Sequence, residues 1–342
     1  MINNDKVFIV AELSANHNGL IDTAINTIIA AAKSGADAVK LQTYTPDSMT
    51  INSKKNDFII NNGSIWDGEN FYELYKKAYT PWEWHEKLFE VAREEGLICF
   101  STPFDKSAVD FLEELHNPIY KVASFEITDI PLIDYIASKD KPIILSTGIA
   151  EKSDIELALR TIRIRNSNKI VLLKCTSSYP APIDEANLLT LTDYTKSFGV
   201  IPGISDHTLG ITAPVVATAL GAKVIEKHFI LDKSIGGPDS TFSLDQNEFS
   251  QMVKNVRDAE KSLGKIEYNL TEKQKKGKDF SRSLYIVKNV KKGEIITNEN
   301  IRSIRPGFGM HPKMLNKILG RKFKYDMNSG DRLLSSSIEK NN

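Results

Sequence analysis

Two histidines, His207 and His228, each end a short apolar run, and the two runs are consecutive in the repeating pattern of the chain. If those runs are neighbouring strands, the imidazoles meet across one strand spacing. Two imidazoles with oxygen donors suit a divalent first-row metal such as Mn²⁺, Fe²⁺, Co²⁺ or Zn²⁺. Lys40 and Lys121 end two other runs, where a packed lysine is costly unless it finds an anion. With Thr102, Ser124, Ser146, Ser177 and Ser205 they make a phosphate or carboxylate cradle that needs no glycine-rich loop. The alternative for any one hydroxyl is a helix cap. Glu12 and Glu126 bind sugar hydroxyls, or act as general acid or base if partial burial raises their pKa. Asp239 follows His228 in a loop, within reach of metal or substrate, or serves as an ordinary turn or N-cap residue. Of the other histidines, His85 and His116 read as structural or solvated, His17 approaches the same mouth, and His311 lies far along the chain.

The elements that must position these groups are eight apolar runs: Val7–Glu12, Ala38–Gln42, Leu97–Thr102, Ile119–Ser124, Pro142–Thr147, Ile170–Thr176, Val200–His207 and Lys223–His228. Helical patterns separate most of them, among them Asp22–Lys33, Trp82–Glu95, Lys106–Leu115 and Lys152–Ile164. Strand–helix repeated eight times is the pattern of a (β/α)₈ TIM barrel, whose active site forms where the strands end. The segment between Tyr44 and Pro81 is an insertion carrying Phe58, Trp66, Phe71, Tyr72 and Tyr75, which either shapes the pocket or covers the barrel flank. Ile230–Thr241 is a loop, and an amphipathic helix from Gln246 to Leu263 closes the barrel. A lysine-rich polar stretch follows, and from Ser281 short β-like runs begin: Leu284–Val287, Glu294–Ile296 and Ile301–Ile304. The predicted division is a barrel over residues 1–265, a linker over 266–280 and a small β-rich domain over 281–338. A module of about 55 residues has little core of its own and leans on a barrel, its own or a partner's.

The 342 residues suit a barrel of about 250 residues plus this appendix. Lysine plus arginine and aspartate plus glutamate balance at 44 each, so no net field points to nucleic acid or an anionic membrane. No run approaches the roughly 20 apolar residues of a membrane span, and no export segment precedes the first strand. Cys99 and Cys175 fall inside strands of different repeats and read as core thiols, which fits a cytoplasmic protein. Walker A, GxGxxG, GxSxG and HExxH patterns are missing, which argues against NTPase, dinucleotide, serine-hydrolase and zincin chemistry.

Ala11–Gly19, Ser101–Asp105, Ser146–Gly148, Lys174–Pro180, Ser205–Thr208 and Glu226–Phe229 together resemble, in order, the signature strings of the sialic acid synthase family. The C-terminal strings Lys292–Glu294 and Arg305–Gly307 resemble the SAF (antifreeze-like) domain of those synthases. The resemblance implies a transferase that condenses phosphoenolpyruvate with an N-acylated amino sugar and releases phosphate by C–O cleavage. Ala11–Asn16, Tyr79–His85, Asp239–Asp245 and Gly309–Pro312 are similar to the pseudaminate-forming branch, whose sugar is 2,4-diacetamido-2,4,6-trideoxy-L-altrose. Gly236–Asp239 is similar to the neuraminate and legionaminate branches, which leaves N-acetylmannosamine or its 2,4-diacetamido analogue as the alternative sugar.

The resemblance also implies roles. His207 and His228 would hold Mn²⁺ or Mg²⁺. Lys40, Thr102, Lys121, Ser124, Ser146, Ser177 and Ser205 match positions around phosphoenolpyruvate. Glu12, Tyr179, Asp239 and Phe280 match positions near the sugar. Glu126 would stabilise an oxocarbenium at C2 or deprotonate the water that traps it. Arg305 matches an arginine that the C-terminal domain contributes to the sugar site of the other subunit, so a domain-swapped homodimer is implied.

Overall fold

The eight predicted strands form a closed parallel barrel in sequence order, each hydrogen-bonded to the next and the last to the first. They are β1 (Phe8–Glu12), β2 (Ala38–Thr43), β3 (Ile98–Pro103), β4 (Tyr120–Val122), β5 (Ile143–Ser146), β6 (Ile170–Cys175), β7 (Ile201–Asp206) and β8 (Val224–His228). The structure is a computed structural model that describes residues 6–166 and 168–340. Contacts divide the chain into two units, between Gly264 and Lys265, and each is described by itself.

Strands buried on both faces are apolar almost throughout, which is why these runs do not alternate with polar residues. The two faces nevertheless do different things. Ile9, Ala11, Val39, Leu145 and Leu172 pack outward against the helices, in one core with Ala24, Ile28, Leu112 and Ile133. Phe8, Val10, Phe100, Ile144, Val171 and Val224 point inward and fill the lower barrel as a second core. Gly203 on β7 is required there, because a Cβ would stand 2.5 Å from Leu173 Cδ2 and 2.6 Å from the Val224 carbonyl oxygen.

Two elements differ from expectation. The fourth strand holds only three residues, because the chain turns into a 3₁₀ segment at Ser124–Glu126. The pattern over Trp82–Glu95 splits into a 3₁₀ turn, Trp82–Trp84, and a helix, His85–Glu94. The helix Gln246–Leu263 begins at a capping box, with Asp245 accepting from the amides of Asn247 and Glu248 at 2.9 Å while Glu248 accepts from the Asp245 amide at 3.0 Å. It buries Phe249, Met252 and Val256.

The second unit pairs β9 (Ser283–Ile286) antiparallel with β10 (Ile301–Ile304) over a core that includes Leu284, Ile286, Ile301, Phe323 and Leu333. The run Glu294–Ile296 is not a strand. It contributes one isolated bridge, Ile295 to Lys322. Within the stretch read as a linker, Glu272–Gly277 is a short helix capped by Thr271.

Candidate active site

Along most strands the last inward positions change from apolar to hydroxyl-bearing or charged. Lys40 Nζ lies 2.6 Å from Glu12 Oε2 and 3.8 Å from Glu226 Oε1, and donates to Thr102 Oγ1 at 3.2 Å. Lys121 Nζ donates to Ser146 Oγ at 2.7 Å and lies 3.7 Å from the same Glu226 oxygen, which also accepts from Ser205 Oγ at 3.0 Å. All of these side chains are buried. Burial works against the Lys40 charge, but Glu12 and Glu226 outweigh it and hold the ammonium above its usual range. Burial dominates at Lys121 and lowers it, with Glu226 opposing. The lysines therefore have counter-charges of their own, and with the hydroxyls of Thr102, Ser146 and Ser205 they form one buried polar layer. Glu226 was not singled out in the sequence. Its signal was parity: it stands two residues before His228 and so shares its face.

Gly148 completes the rim of this layer. Its amide donates to Ser124 Oγ at 3.1 Å. A Cβ at Gly148 would lie 2.0 Å from Ser177 Oγ and 2.8 Å from Ser124 Oγ, so only glycine lets these two hydroxyls converge.

One inward position further along β7 and β8 stand the imidazoles, their ring centroids 5.3 Å apart. His207 Nδ1 donates to the Thr176 carbonyl at 3.0 Å and lies 3.7 Å from Cys175 Sγ, so in the neutral form of this ring Nε2 carries the lone pair. His228 Nδ1 is buried and meets no hydrogen-bond partner among the described residues; its nearest acid is Asp239 Oδ2 at 3.8 Å. Burial, then the His207 and lysine charges, hold His228 well below the usual imidazole range. A neutral, orphaned imidazole beside a second one fits a divalent cation. Among the described residues no group of three or more His, Cys, Asp or Glu side chains is arranged to hold a metal ion, so the two imidazoles would need oxygen ligands from substrate or water.

Above this layer opens a cavity of about 380 Å³. Gln42, Glu126, Tyr179, His228 and Asp239 form its barrel side. The Tyr179 ring lies 4.3 Å from His207 and 5.3 Å from Phe242. Asp239 is buried and accepts from the Ala15 amide at 3.3 Å. Burial pushes the Glu126 carboxyl up to about 7 against the pull of Lys121, and its Oε2 finds no partner among the described residues. The opposite wall comes from the insertion after β2, including Met49, Trp66, Phe71 and Tyr75. The insertion thus shapes the pocket.

Other expected residues fall elsewhere. Glu12 sits in the buried polar layer, bonded to Lys40 and Gln42, and does not line the cavity. His17 does not line it either; it is buried against Trp84, 3.2 Å from Thr80 Oγ1. His85 is structural, bonded to Thr43 at 2.8 Å. His116 adopts a left-handed backbone after a helix, and His311 caps the turn at Pro312. Cys99 and Cys175 are free buried thiols. Phe280 and Arg305 are exposed residues of the second unit.

A model of the NeuB family matches residues 27–268, and one of the SAF domain matches residues 281–339. The chain belongs to the NeuB family. Among its relatives, the pseudaminic acid synthase of Campylobacter jejuni is 50% identical over 333 residues, 97% of each chain. The N,N'-diacetyllegionaminic acid synthase of Legionella pneumophila is 36% identical, over 97% of this chain and 94% of the other. The solved structure of a spore coat polysaccharide biosynthesis protein from Bacillus subtilis has the same fold, with a TM-score of 0.65, 33% identity, and coverage of 98% of this chain and 96% of that one. No helix among the described residues is long and apolar enough to cross a membrane.

Proposed function

We propose that this NeuB-family enzyme condenses phosphoenolpyruvate with 2,4-diacetamido-2,4,6-trideoxy-L-altrose and water, giving pseudaminic acid and phosphate. The observation that carries the chemistry is the stacking of two layers in one mouth: an anion cradle on Lys40 and Lys121, and above it two imidazoles, with Glu126 lining the same cavity as His228. The choice of sugar rests on the 50% identity to a pseudaminic acid synthase, against 36% to a diacetyllegionaminic acid synthase.

Lys40, Lys121, Thr102, Ser124, Ser146, Ser177 and Ser205 bind and orient the phosphate and carboxylate of phosphoenolpyruvate. The C2=C3 π electrons form the bond from C3 to the sugar aldehyde carbon, the aldehyde C=O π pair moves onto its oxygen as an alkoxide, and positive charge develops at C2 as an oxocarbenium. Glu126, as carboxylate, stabilises that cation and takes a proton from the water that adds to C2, and a proton from solvent or from Glu126 turns the alkoxide into a hydroxyl. The bond between C2 and the phosphate oxygen then breaks, phosphate leaves with both electrons and the proton of the C2 hydroxyl, and C2 becomes the ketone. A divalent cation, Mn²⁺ or Mg²⁺, held by His207 and His228 would polarise the aldehyde oxygen as a Lewis acid. Tyr179, Asp239 and Phe280 belong to the sugar side, and Arg305 reaches it from the SAF domain of a second subunit in a domain-swapped homodimer.

The test is phosphate release from phosphoenolpyruvate with added Mn²⁺ and each candidate sugar. Turnover with the L-altrose sugar is expected. Turnover with N-acetylmannosamine or the legionaminate precursor, and not with the L-altrose sugar, overturns the assignment.

A further inference from the structure

One polar atom at the mouth has no part in this chemistry. Nε1 of Trp66 is shielded from solvent and meets no hydrogen-bond acceptor among the described residues. An indole N–H only donates, and a donor buried without an acceptor is destabilising. Trp66 lines the cavity from the insertion, its ring 5.4 Å from that of Tyr179. On the same wall Phe71 and Tyr75 stack with centroids 6.1 Å apart, and Tyr44 meets Tyr75 edge-on at 5.8 Å. The wall is therefore aromatic, with one unmet donor.

The sugar aldehyde must reach C3 of phosphoenolpyruvate, near the imidazoles. Tyr179 stands between them and Trp66, 4.3 Å from His207 on one side and 5.4 Å from Trp66 on the other. A group that meets Trp66 belongs to the part of the sugar remote from the aldehyde. An acetamido group offers a carbonyl acceptor and a methyl side by side, whereas a hydroxyl offers no methyl. We propose that Trp66, Phe71 and Tyr75 form the subsite for the acetamido group at C4 of the sugar. Trp66 Nε1–H donates to the acyl carbonyl, the Phe71 and Tyr75 rings pack on its methyl, and the wall selects a 4-acylated sugar over a 4-hydroxy one. This subsite rests on the sugar assigned above.

Steady-state kinetics of Trp66→Phe and Tyr75→Leu, with the diacetamido sugar and its 4-hydroxy analogue, test it. Trp66→Phe removes one neutral hydrogen bond and is expected to raise the diacetamido sugar's KM about tenfold, while kcat changes far less. Tyr75→Leu keeps the N–H and raises the same KM severalfold. Neither shifts the KM of the analogue or of phosphoenolpyruvate by more than about twofold. Equal rises for both sugars, or no rise for the diacetamido sugar, overturn the subsite alone. A wild-type enzyme that uses N-acetylmannosamine and not the L-altrose sugar overturns the sugar assignment and the subsite together.

Discussion

Asp206 Oδ2 and Lys227 Nζ lie 2.5 Å apart between β7 and β8, buried at positions that alternate with the inward-facing Ser205, His207, Glu226 and His228. The two residues are register partners, so the ion pair pins the relative height of the strands that carry the paired imidazoles. Lys227 also donates to the Thr208 carbonyl at 2.5 Å. Removing one partner of such a pair leaves an uncompensated buried charge. Asp206→Ala is therefore expected to destabilise the protein by about 3–5 kcal/mol. The double replacement Asp206→Leu with Lys227→Met recovers much of that loss, read as the midpoint of thermal or urea unfolding.

With Glu126 as the proposed base, an acid limb on activity is expected. The Glu126 carboxyl is raised from 4.5 to about 7, chiefly by burial, and the base form grows as pH rises through that value. The kcat/KM of the wild type is expected to fall below about pH 7. Glu126→Gln removes this limb and lowers kcat by roughly 10²- to 10⁴-fold. Stability runs the other way. A raised carboxyl makes the folded chain bind its proton more tightly, so the wild type loses stability as pH rises from 4.5 to about 7, and Glu126→Gln escapes that loss.

The two cradle lysines should fail differently. Lys121→Met removes a charge-assisted bond to the anion and is expected to raise the phosphoenolpyruvate KM roughly 10- to 100-fold, with a smaller change for the sugar. Lys40→Met also strips Glu12 of the ammonium 2.6 Å away, so its main effect is a drop in unfolding midpoint, about 3–5 kcal/mol in free energy.

Arg305→Ala and His228→Ala are each expected to be inactive. If the arginine serves the partner's barrel, a heterodimer of the two contains one intact site, and an equimolar co-expressed mixture recovers about a quarter of wild-type activity. A mixture as inactive as its components would place Arg305 in its own subunit's site.

The strand tips were legible because parallel barrel strands are continuous apolar runs, so a polar residue at the end stands out. That placed His207 and His228 on neighbouring strands, and Lys40, Lys121 and Ser146 on one layer. Glu12 was harder. A tip carboxylate reads as a sugar ligand or as a general acid or base, and nothing in the sequence announces the Lys40 ammonium 2.6 Å from it. Glu226 was hidden two residues inside its run, where strand parity alone could have exposed it. The aromatic wall was half legible: the insertion and its aromatics stood out in the sequence, but loop residues such as Trp66 follow no period that says which way they face.

The layering of the mouth has a kinetic consequence. Phe8, Val10, Phe100 and Val171 seal the barrel floor, and the cradle lies one inward position deeper than the imidazoles and the cavity. The site is thus a corridor with a single door, and its occupants must queue. On the site assignment proposed above, phosphoenolpyruvate is expected to bind before the sugar, because a seated sugar blocks the way. By the same geometry phosphate is expected to leave last and to inhibit competitively against phosphoenolpyruvate, which product-inhibition kinetics check.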